Sequence, residues 1–577
     1  MATHLQPIFD IAEICAQRGI QQAVLCPGSR CAPLTLAFTN HPAITSRTFS
    51  DERSAAFIGM GLAQQTKSAT ALVCTSGSAA YNFAPAIAEA FFQQIPLLVF
   101  TADRPAEWID QWDGQTIRQE NIFGSHVKQS YNLPADYSHP DSVWHIQRIV
   151  NEAISLTQTY PFGPVHVNVP LREPLYPQAG EKIKFSKKVK IVEQEPAQFA
   201  LTEESKISLG NLLTGFMRIL VIAGQQENEP TLKKAVTRFC EAHRATLVGD
   251  VISNFHGTST TIRYADVFLA HAPDSIKTAL QPDLVITFGK SVISKNLKQF
   301  LRKNAPAQHW HVQPAGIVPD PFQSLTRIIN CDPASFFSGL ASGFTITESE
   351  LHKKNNYTNR WLVEEQRTQH NYQHYFNQTS FHELAAVKMV VDALPPRCNL
   401  HVANSMSVRY VNLVGLSEKQ KDVYVYANRG TSGIDGCTST TVGHALNSDV
   451  PNILITGDLA FFYDRNAFWH NYKLPHLRVV VINNNGGVIF NLIDGPGQVA
   501  AKDEFFVTHQ LLTAQHLANE FNHVYLSAST EKELTDALKE FYTFDGQAKI
   551  LEIKSDQLTA TQAFNEFKQT IKNSYAT

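Results

Sequence analysis

The 577-residue chain has no long apolar run, no paired-cysteine motif and no surplus of positive charge, and each absence removes a class of function. The most apolar stretch, roughly residues 79–100, is broken by Asn82, Glu89, Gln93 and Gln94. It predicts a buried helix and strand, with no membrane span. The opening MATHLQPIFDIAEICAQRG lacks a charged head followed by an apolar run, so no secretory signal is expected there. The eight cysteines form neither a CxxC pair nor a regular framework, which predicts free buried thiols in a reducing, cytoplasmic setting. A net charge of −3 and a pI near 6.7 argue against a nucleic-acid partner, which would need a basic stripe. None of the 22 histidines falls in an HExxH spacing, so no zinc site is expected.

What is present is ordinary globular composition, 43% hydrophobic and 18% charged, at a length suited to roughly three to four domains. Three segments alternate short apolar strands with helical patterns, which predicts α/β architecture built from doubly wound parallel sheets. The first segment, 1–180, carries AVLC, ALVC, PLLVF and VHVNV. Residues 181–205, rich in Lys, Glu, Pro and Gln, read as a linker. The second, 206–350, carries RILVIAG, ATLVGD and DLVITFG but no GxGxxG fingerprint, so a nucleotide site there is unsupported. A polar stretch, 348–379, bridges to the third segment, 380–577. The three segments are expected to be related Rossmann-like units.

The third segment holds the most informative pattern. NILIT reads as a strand that ends at Gly457-Asp458-Leu459; a helical stretch, AFFYDRNAFWHNY, and a second strand, LRVVVI, lead to Asn483-Asn484-Asn485-Gly486-Gly487. A βαβ crossover returns parallel, so both strand ends fall on the edge where open α/β sheets bind ligands. Magnesium needs about six oxygens, drawn from one or two carboxylate-type groups and substrate phosphates. Asp458, the Asn484 side chain and the Gly486 carbonyl fit that need, with Asn485 and Gly487 as the alternative register. Taken singly, each motif is also an ordinary turn former. The layout resembles the Gly-Asp…Asn signature of thiamin diphosphate enzymes, with Leu459 where glycine is usual. Such an enzyme also needs a carboxyl group beside the cofactor's pyrimidine, in an apolar pocket. The best candidate is Glu52, at the start of the small-residue helix in FSDERSAAFIGMGLA, flanked by CPGSR, TSGSA and TADRP after apolar strands.

Together, CPGSR, FSDERSAAFIGMGLA, TSGSAAYN, TADRPAE, QTIRQ, NSMSVR, NRGTSGIDG, GDLAFFYD and NNNGGVIF are similar to the MenD family of menaquinone biosynthesis, in family order from residue 26 to 490. The resemblance implies a pyrimidine-binding domain at 1–180, a central domain at 206–350 and a diphosphate-binding domain at 380–577. It implies thiamin diphosphate and magnesium, with manganese as a substitute, in a homodimer or tetramer. The implied reaction is decarboxylation of 2-oxoglutarate and Michael-type addition of the resulting carbanion to isochorismate. Glu52 would be catalytic; Ser432, Gly433, Ile434, Gly457, Asp458, Leu459, Asn484, Gly486, Ile489 and Phe490 would hold the cofactor, Ile434 beneath its thiazolium. Because both substrates are dicarboxylates, guanidinium forks are expected at the site. Ser29, Arg30, Arg104, Arg118, Gln119, Lys295, Ser405, Arg409 and Arg429 are the candidates. Ile489, Phe490 and Ile493 would wall the reacting carbons, or be the buried face of a helix. Ala460 and Asn296 depart from the family pattern, which usually has serine and a basic residue there. The nearest rival is another thiamin diphosphate enzyme, such as an acetolactate synthase, with an apolar pocket for pyruvate.

Overall fold

The computed structural model describes residues 4–177, 182–258, 260–342, 347–492 and 499–576. Among the described residues, eighteen strands form three separate six-stranded sheets. The first contains β1 (Gln22–Leu25), β2 (Thr45–Thr48), β3 (Thr70–Cys74), β4 (Leu97–Asp103), β5 (Ser130–Asn132) and β6 (Val165–Pro170), in the order β2-β1-β3-β4-β6-β5. The second contains β7 (Ile219–Ala223), β8 (Thr246–Gly249), β9 (Thr261–Ile262), β10 (Leu284–Phe288), β11 (Gln308–Gln313) and β12 (Arg327–Asn330), ordered β12-β11-β10-β7-β8-β9. The third contains β13 (Arg397–Val402), β14 (Asp422–Tyr426), β15 (Asn452–Gly457), β16 (Leu477–Asn483), β17 (Val524–Ala528) and β18 (Lys549–Lys554), ordered β14-β13-β15-β16-β18-β17. Every pairing is parallel. The central strands β3 and β4 are buried at every position, as strands covered by helices on both faces must be. The edge strands β2 (TSRT) and β5 (SYN) are short and polar, which discourages pairing with another chain.

The three units are related only in part. The first and third sheets share one strand order, while the middle sheet has the order typical of dinucleotide-binding folds. Residues 182–201 are no free linker: Ile183, Phe185, Val189 and Ile191 pack on the first core, and Asn151 bonds the backbone at Lys190 and Val192. The polar bridge is a helix, Glu348–Gln378, opened by a capping box at Thr347 and Glu350. Its Tyr357, Trp361, Tyr372 and Tyr375 join a core shared by the second and third domains. The helical stretch after Asp458 is shorter than its sequence suggests, a six-residue helix Asp458–Tyr463 followed by a 3-10 turn. No helix of the described residues is long and apolar enough to cross a membrane.

The first and third domains meet along the helices Glu52–Thr66 and Cys437–Ala445. Their backbones cross at two glycines. A Cβ on Gly61 would lie 2.1 Å from the Thr440 carbonyl oxygen, and one on Gly443 would lie 2.2 Å from that of Ile58. Only glycine allows that approach. The crossing fixes the helix whose first residue is Glu52.

Candidate active site

β15 and β16 are neighbours, with Gly457 opposite Ile482, so Asp458 and Asn484 leave the same edge side by side. The strand order reverses between β13 and β15, and the crevice at such a reversal is where open sheets bind ligands. Asp458 Oδ1 accepts the Leu459 N–H at 2.7 Å. Its Oδ2 accepts the Gly486 N–H at 2.8 Å and Gln510 Nε2 at 2.9 Å. Asn484 Oδ1 accepts from that same Gly486 N–H at 3.2 Å, so one backbone proton gathers both side-chain oxygens. Gly486 has φ +156°, and a Cβ there would meet Val507 O and Gln557 Nε2 at 2.8 Å.

Asp458 is 2% exposed, and burial pushes its pKa up even though Gln510 and backbone amides donate to it. Among the described residues it forms no ion pair; each of its hydrogen-bond donors is neutral. A buried carboxylate in that state is stabilised by a cation. The donor set, one carboxylate with amide and carbonyl oxygens, suits a hard divalent ion. No cluster of three or more His, Cys, Asp or Glu occurs among the described residues.

The loop after β14 carries Arg429, Ser432, Gly433 and Ile434. It is tied to the first domain through Glu89, whose carboxylate accepts the Gly430 N–H at 2.7 Å and the Thr431 N–H at 2.6 Å. Asn404 Nδ2 donates to the Gly433 carbonyl at 2.6 Å, while its Oδ1 accepts Arg429 Nη1 at 2.8 Å. Ser432 (φ +62°) and Ser405 (φ +69°) both hold left-handed backbone conformations, a strain that clusters at functional loops. Ile434 packs against the core shared by the first and third domains. Ile489 and Phe490 are half-buried, and Phe490 meets Phe506 edge-on at 5.8 Å. Ile493 lies outside the described residues.

Arg409 sits close enough to Arg429 to disfavour its charge. Arg429 is lowered first by desolvation and then by Arg409, and its Nε is buried without a partner among the described residues. The central domain adds to this cluster. Lys298, on the helix Lys295–Lys303, is half-buried; desolvation lowers its pKa, opposed by Asp250, with Arg429 lowering it further. Lys295 is exposed, and Asn296 turns its side chain to the Asp266 carbonyl at 2.9 Å. Sequence reasoning selected Lys295 and passed over Lys298.

In the first domain, Glu52 is half-exposed and accepts Asn82 Nδ2 at 3.1 Å. The expected apolar pocket is therefore not closed by a single chain. Its neighbours reach the third domain: Arg53 donates to the Tyr463 carbonyl at 2.8 Å, and Asp51 accepts from Asn466 at 2.7 Å. The Ser76 hydroxyl, after β3, is buried without a partner among the described residues. Ser29 is exposed, on the turn after β1. Arg104 pairs with Asp113 at 3.0 Å, and the well-exposed Arg118 pairs with Asp110 at 2.9 Å. Arg30 and Gln119 differ from expectation because both are turned inward. Arg30 donates to the Leu171 carbonyl at 2.9 Å and meets Glu173 at 3.4 Å. Gln119 holds the Gly77 N–H at 2.8 Å and spends its amide protons on Ala102 O and Asn168 Oδ1. A separate cavity of about 350 Å³ lies where the three domains meet, lined among others by Gln93, Gln225, Lys290 and Tyr426. None of the expected site residues borders it.

Comparison with known proteins gives this geometry its family. Profiles described as "Thiamine pyrophosphate enzyme, N-terminal TPP binding domain" and "Middle domain of thiamine pyrophosphate" match residues 9–123 and 208–402. A 2-succinyl-5-enolpyruvyl-6-hydroxy-3-cyclohexene-1-carboxylate synthase of Cytophaga hutchinsonii is 44% identical over 99% of this chain and 100% of its own length. The chain belongs to that synthase family. Synthases of the same name from Flavobacterium johnsoniae (36% identical, 94% of this chain and 95% of the relative) and Bacteroides thetaiotaomicron (34%, 98% of each) agree. The family is thiamin diphosphate-dependent.

Proposed function

We propose that this chain decarboxylates 2-oxoglutarate and joins the remaining succinyl unit to isochorismate, releasing 2-succinyl-5-enolpyruvyl-6-hydroxy-3-cyclohexene-1-carboxylate and carbon dioxide for menaquinone biosynthesis. The observation that carries this is the full-length likeness to synthases of that name. The cation cluster of Arg409, Arg429 and Lys298 supports it. An acetolactate-type pocket for pyruvate would have little use for three positive charges.

Bound thiamin diphosphate supplies the carbon nucleophile and electron sink that decarboxylation requires. Domain 1–180 would take its pyrimidine end and domain 380–577 its diphosphate, with 206–350 between them. Asp458, Asn484 Oδ1 and the Gly486 carbonyl would hold magnesium, or manganese in its place. The meeting of Asp458 and Asn484 at one N–H favours this register over Asn485 and Gly487. Glu52 would hold and release the proton at the aminopyrimidine ring. Gly457, Leu459, Ser432, Gly433 and Ile434 would shape the cofactor cleft, and Ile489 and Phe490 would keep water from the reacting carbons. Arg409, Arg429, Lys298, Lys295 and Ser405 would receive substrate carboxylates. Ser29, Arg104 and Arg118 would approach from the first domain, with Arg30 and Gln119 acting by holding its loops.

The working unit would be at least a homodimer. Large apolar side chains stand exposed beside both halves of the site: Tyr81 and the fully exposed Trp112 in the first domain, Phe505 and Leu511 near the clamp. A second chain would cover them and close the surroundings of Glu52. All eight cysteines are free and buried, which supports a cytoplasmic setting.

The test is to supply the purified protein with thiamin diphosphate, magnesium and either 2-oxoglutarate or pyruvate, with and without isochorismate. Carbon dioxide and the carboligation product are then followed. Product should need both 2-oxoglutarate and isochorismate; a product formed from pyruvate alone would replace this reading with the acetolactate one.

A further inference from the structure

Glu383 is a buried carboxylate, 1% exposed, at the first position of the helix Glu383–Asp392, and no sequence motif marks it. Three side chains converge on it. Its Oε1 accepts Asn484 Nδ2 at 2.7 Å and Ser555 Oγ at 2.7 Å, and its Oε2 accepts the Tyr410 hydroxyl at 2.9 Å. Among the described residues it has no basic partner.

An asparagine amide has two ends of nearly equal shape and opposite chemistry. A carboxylate only accepts, so Glu383 takes the nitrogen end of Asn484. The oxygen end must then point the other way, to the Gly486 N–H and Asp458. With the amide reversed, an N–H group would face Asp458 and no cation could be held there. We propose that Glu383 is a positioning residue of the metal clamp, fixing Asn484 with its oxygen toward Asp458. This rests on the magnesium reading above, and Gln510 supports Asp458 in the complementary way.

The test is titration calorimetry of magnesium into purified protein saturated with thiamin diphosphate. Glu383→Met should weaken magnesium binding about 10- to 100-fold, the usual range for a lost outer partner of a metal ligand. Glu383→Gln keeps one acceptor for Asn484 and should lose less. Aspartate offers oxygen at both ends, so Asn484→Asp in the Glu383→Met background should restore binding. The same Asn484→Asp change alone should weaken it, because two carboxylates would then face each other. A purely structural role for Glu383 predicts lower thermal stability with unchanged affinity of the folded protein, and no rescue. That outcome, or wild-type affinity in folded Glu383→Met, overturns the proposal. If Glu383→Met does not fold, Glu383→Gln with and without Asn484→Asp decides in the same way. Wild-type magnesium affinity in Asp458→Ala would instead remove the clamp reading itself.

Discussion

The first and third domains carry the same strand order, yet they present their functional groups in opposite states. In the third, Asp458 and Asn484 are buried and held on several sides by partners from their own chain. In the first, Glu52 is half-exposed with one side-chain bond, and Arg104 and Arg118 pair with acids of their own loop. One topology thus yields a buried, fully bonded carboxylate and amide at one end and a half-exposed carboxylate at the other. The cause is local. The Asp458 carboxylate after β15 is held by Gly486 and Gln510 of the same domain, whereas Glu52 has one side-chain partner among the described residues, Asn82.

That contrast predicts different kinds of failure. Asp458→Ala should abolish magnesium-dependent binding of thiamin diphosphate, because a metal-bound diphosphate then faces an under-coordinated cation. The expected loss exceeds the ~100-fold ceiling for an outer-shell partner. Calorimetry returning near-native cofactor affinity would remove the anchor from the third domain. Glu52→Gln should do the reverse: cofactor affinity stays within a few-fold while turnover falls about 10²–10⁴-fold, the usual worth of general acid–base assistance. Equal loss of binding and rate in both variants would erase the distinction between the two domains.

The sequence carried the central features of this contrast unevenly. Buried parallel strands such as ALVC and NILIT were legible because burial on both faces forces continuous apolar runs. The edge strands β2, β5 and β12 were not, since TSRT, SYN and RIIN carry little of that signal. Asp458 and Asn484 were readable from spacing. Glu383 and Gln510, which bond to them, were not, because a buried polar residue looks the same in sequence as a solvated one. Arg30 and Gln119 show the complementary limit, since nothing in the sequence reveals that both are turned into the protein. A loop motif shows that a polar residue is present, and only packing decides whether it faces ligand or core.

The junction between the two domains should report itself through pH. Asp464 is buried there, bonded to the Ser439 N–H and hydroxyl at 2.6 Å, with the Arg53 charge nearby. Burial pushes its carboxyl from the ordinary 3.8 up to about 7, outweighing the Ser439 bonds and Arg53. Folding therefore increases its proton affinity, and between pH ~4 and ~7 the native state binds more protons than the unfolded one. Stability should fall as pH rises through that window, by up to ~4 kcal/mol, relative to Asp464→Asn. Urea midpoints of both proteins at pH 5, 6 and 7 give the difference, and other carboxyls cancel in it. A flat or rising difference would mean that Ser439 and Arg53 hold the charged form.

The smallest expected effects come from the cationic side chains of the third and central domains proposed to meet substrate carboxylates. Arg429→Ala removes a half-buried guanidinium beside Arg409 and should cost about 2 kcal/mol, or roughly 30-fold in kcat/KM for 2-oxoglutarate, within the range for a charged hydrogen bond. Lys298→Met keeps the stem that packs on the helix and removes only the ammonium. Exposed pairs contribute about 1 kcal/mol or less, and Lys298 is half-buried, so about a tenfold loss is expected. The effect should fall on KM for a dicarboxylate more than on kcat, because the ammonium meets substrate before and during reaction alike. Lys295→Met, by contrast, removes an exposed charge and should change KM less. If Lys295→Met proves the more damaging of the two, the carboxylate lies at the helix start, and the departure at Asn296 has been compensated there instead of one turn on.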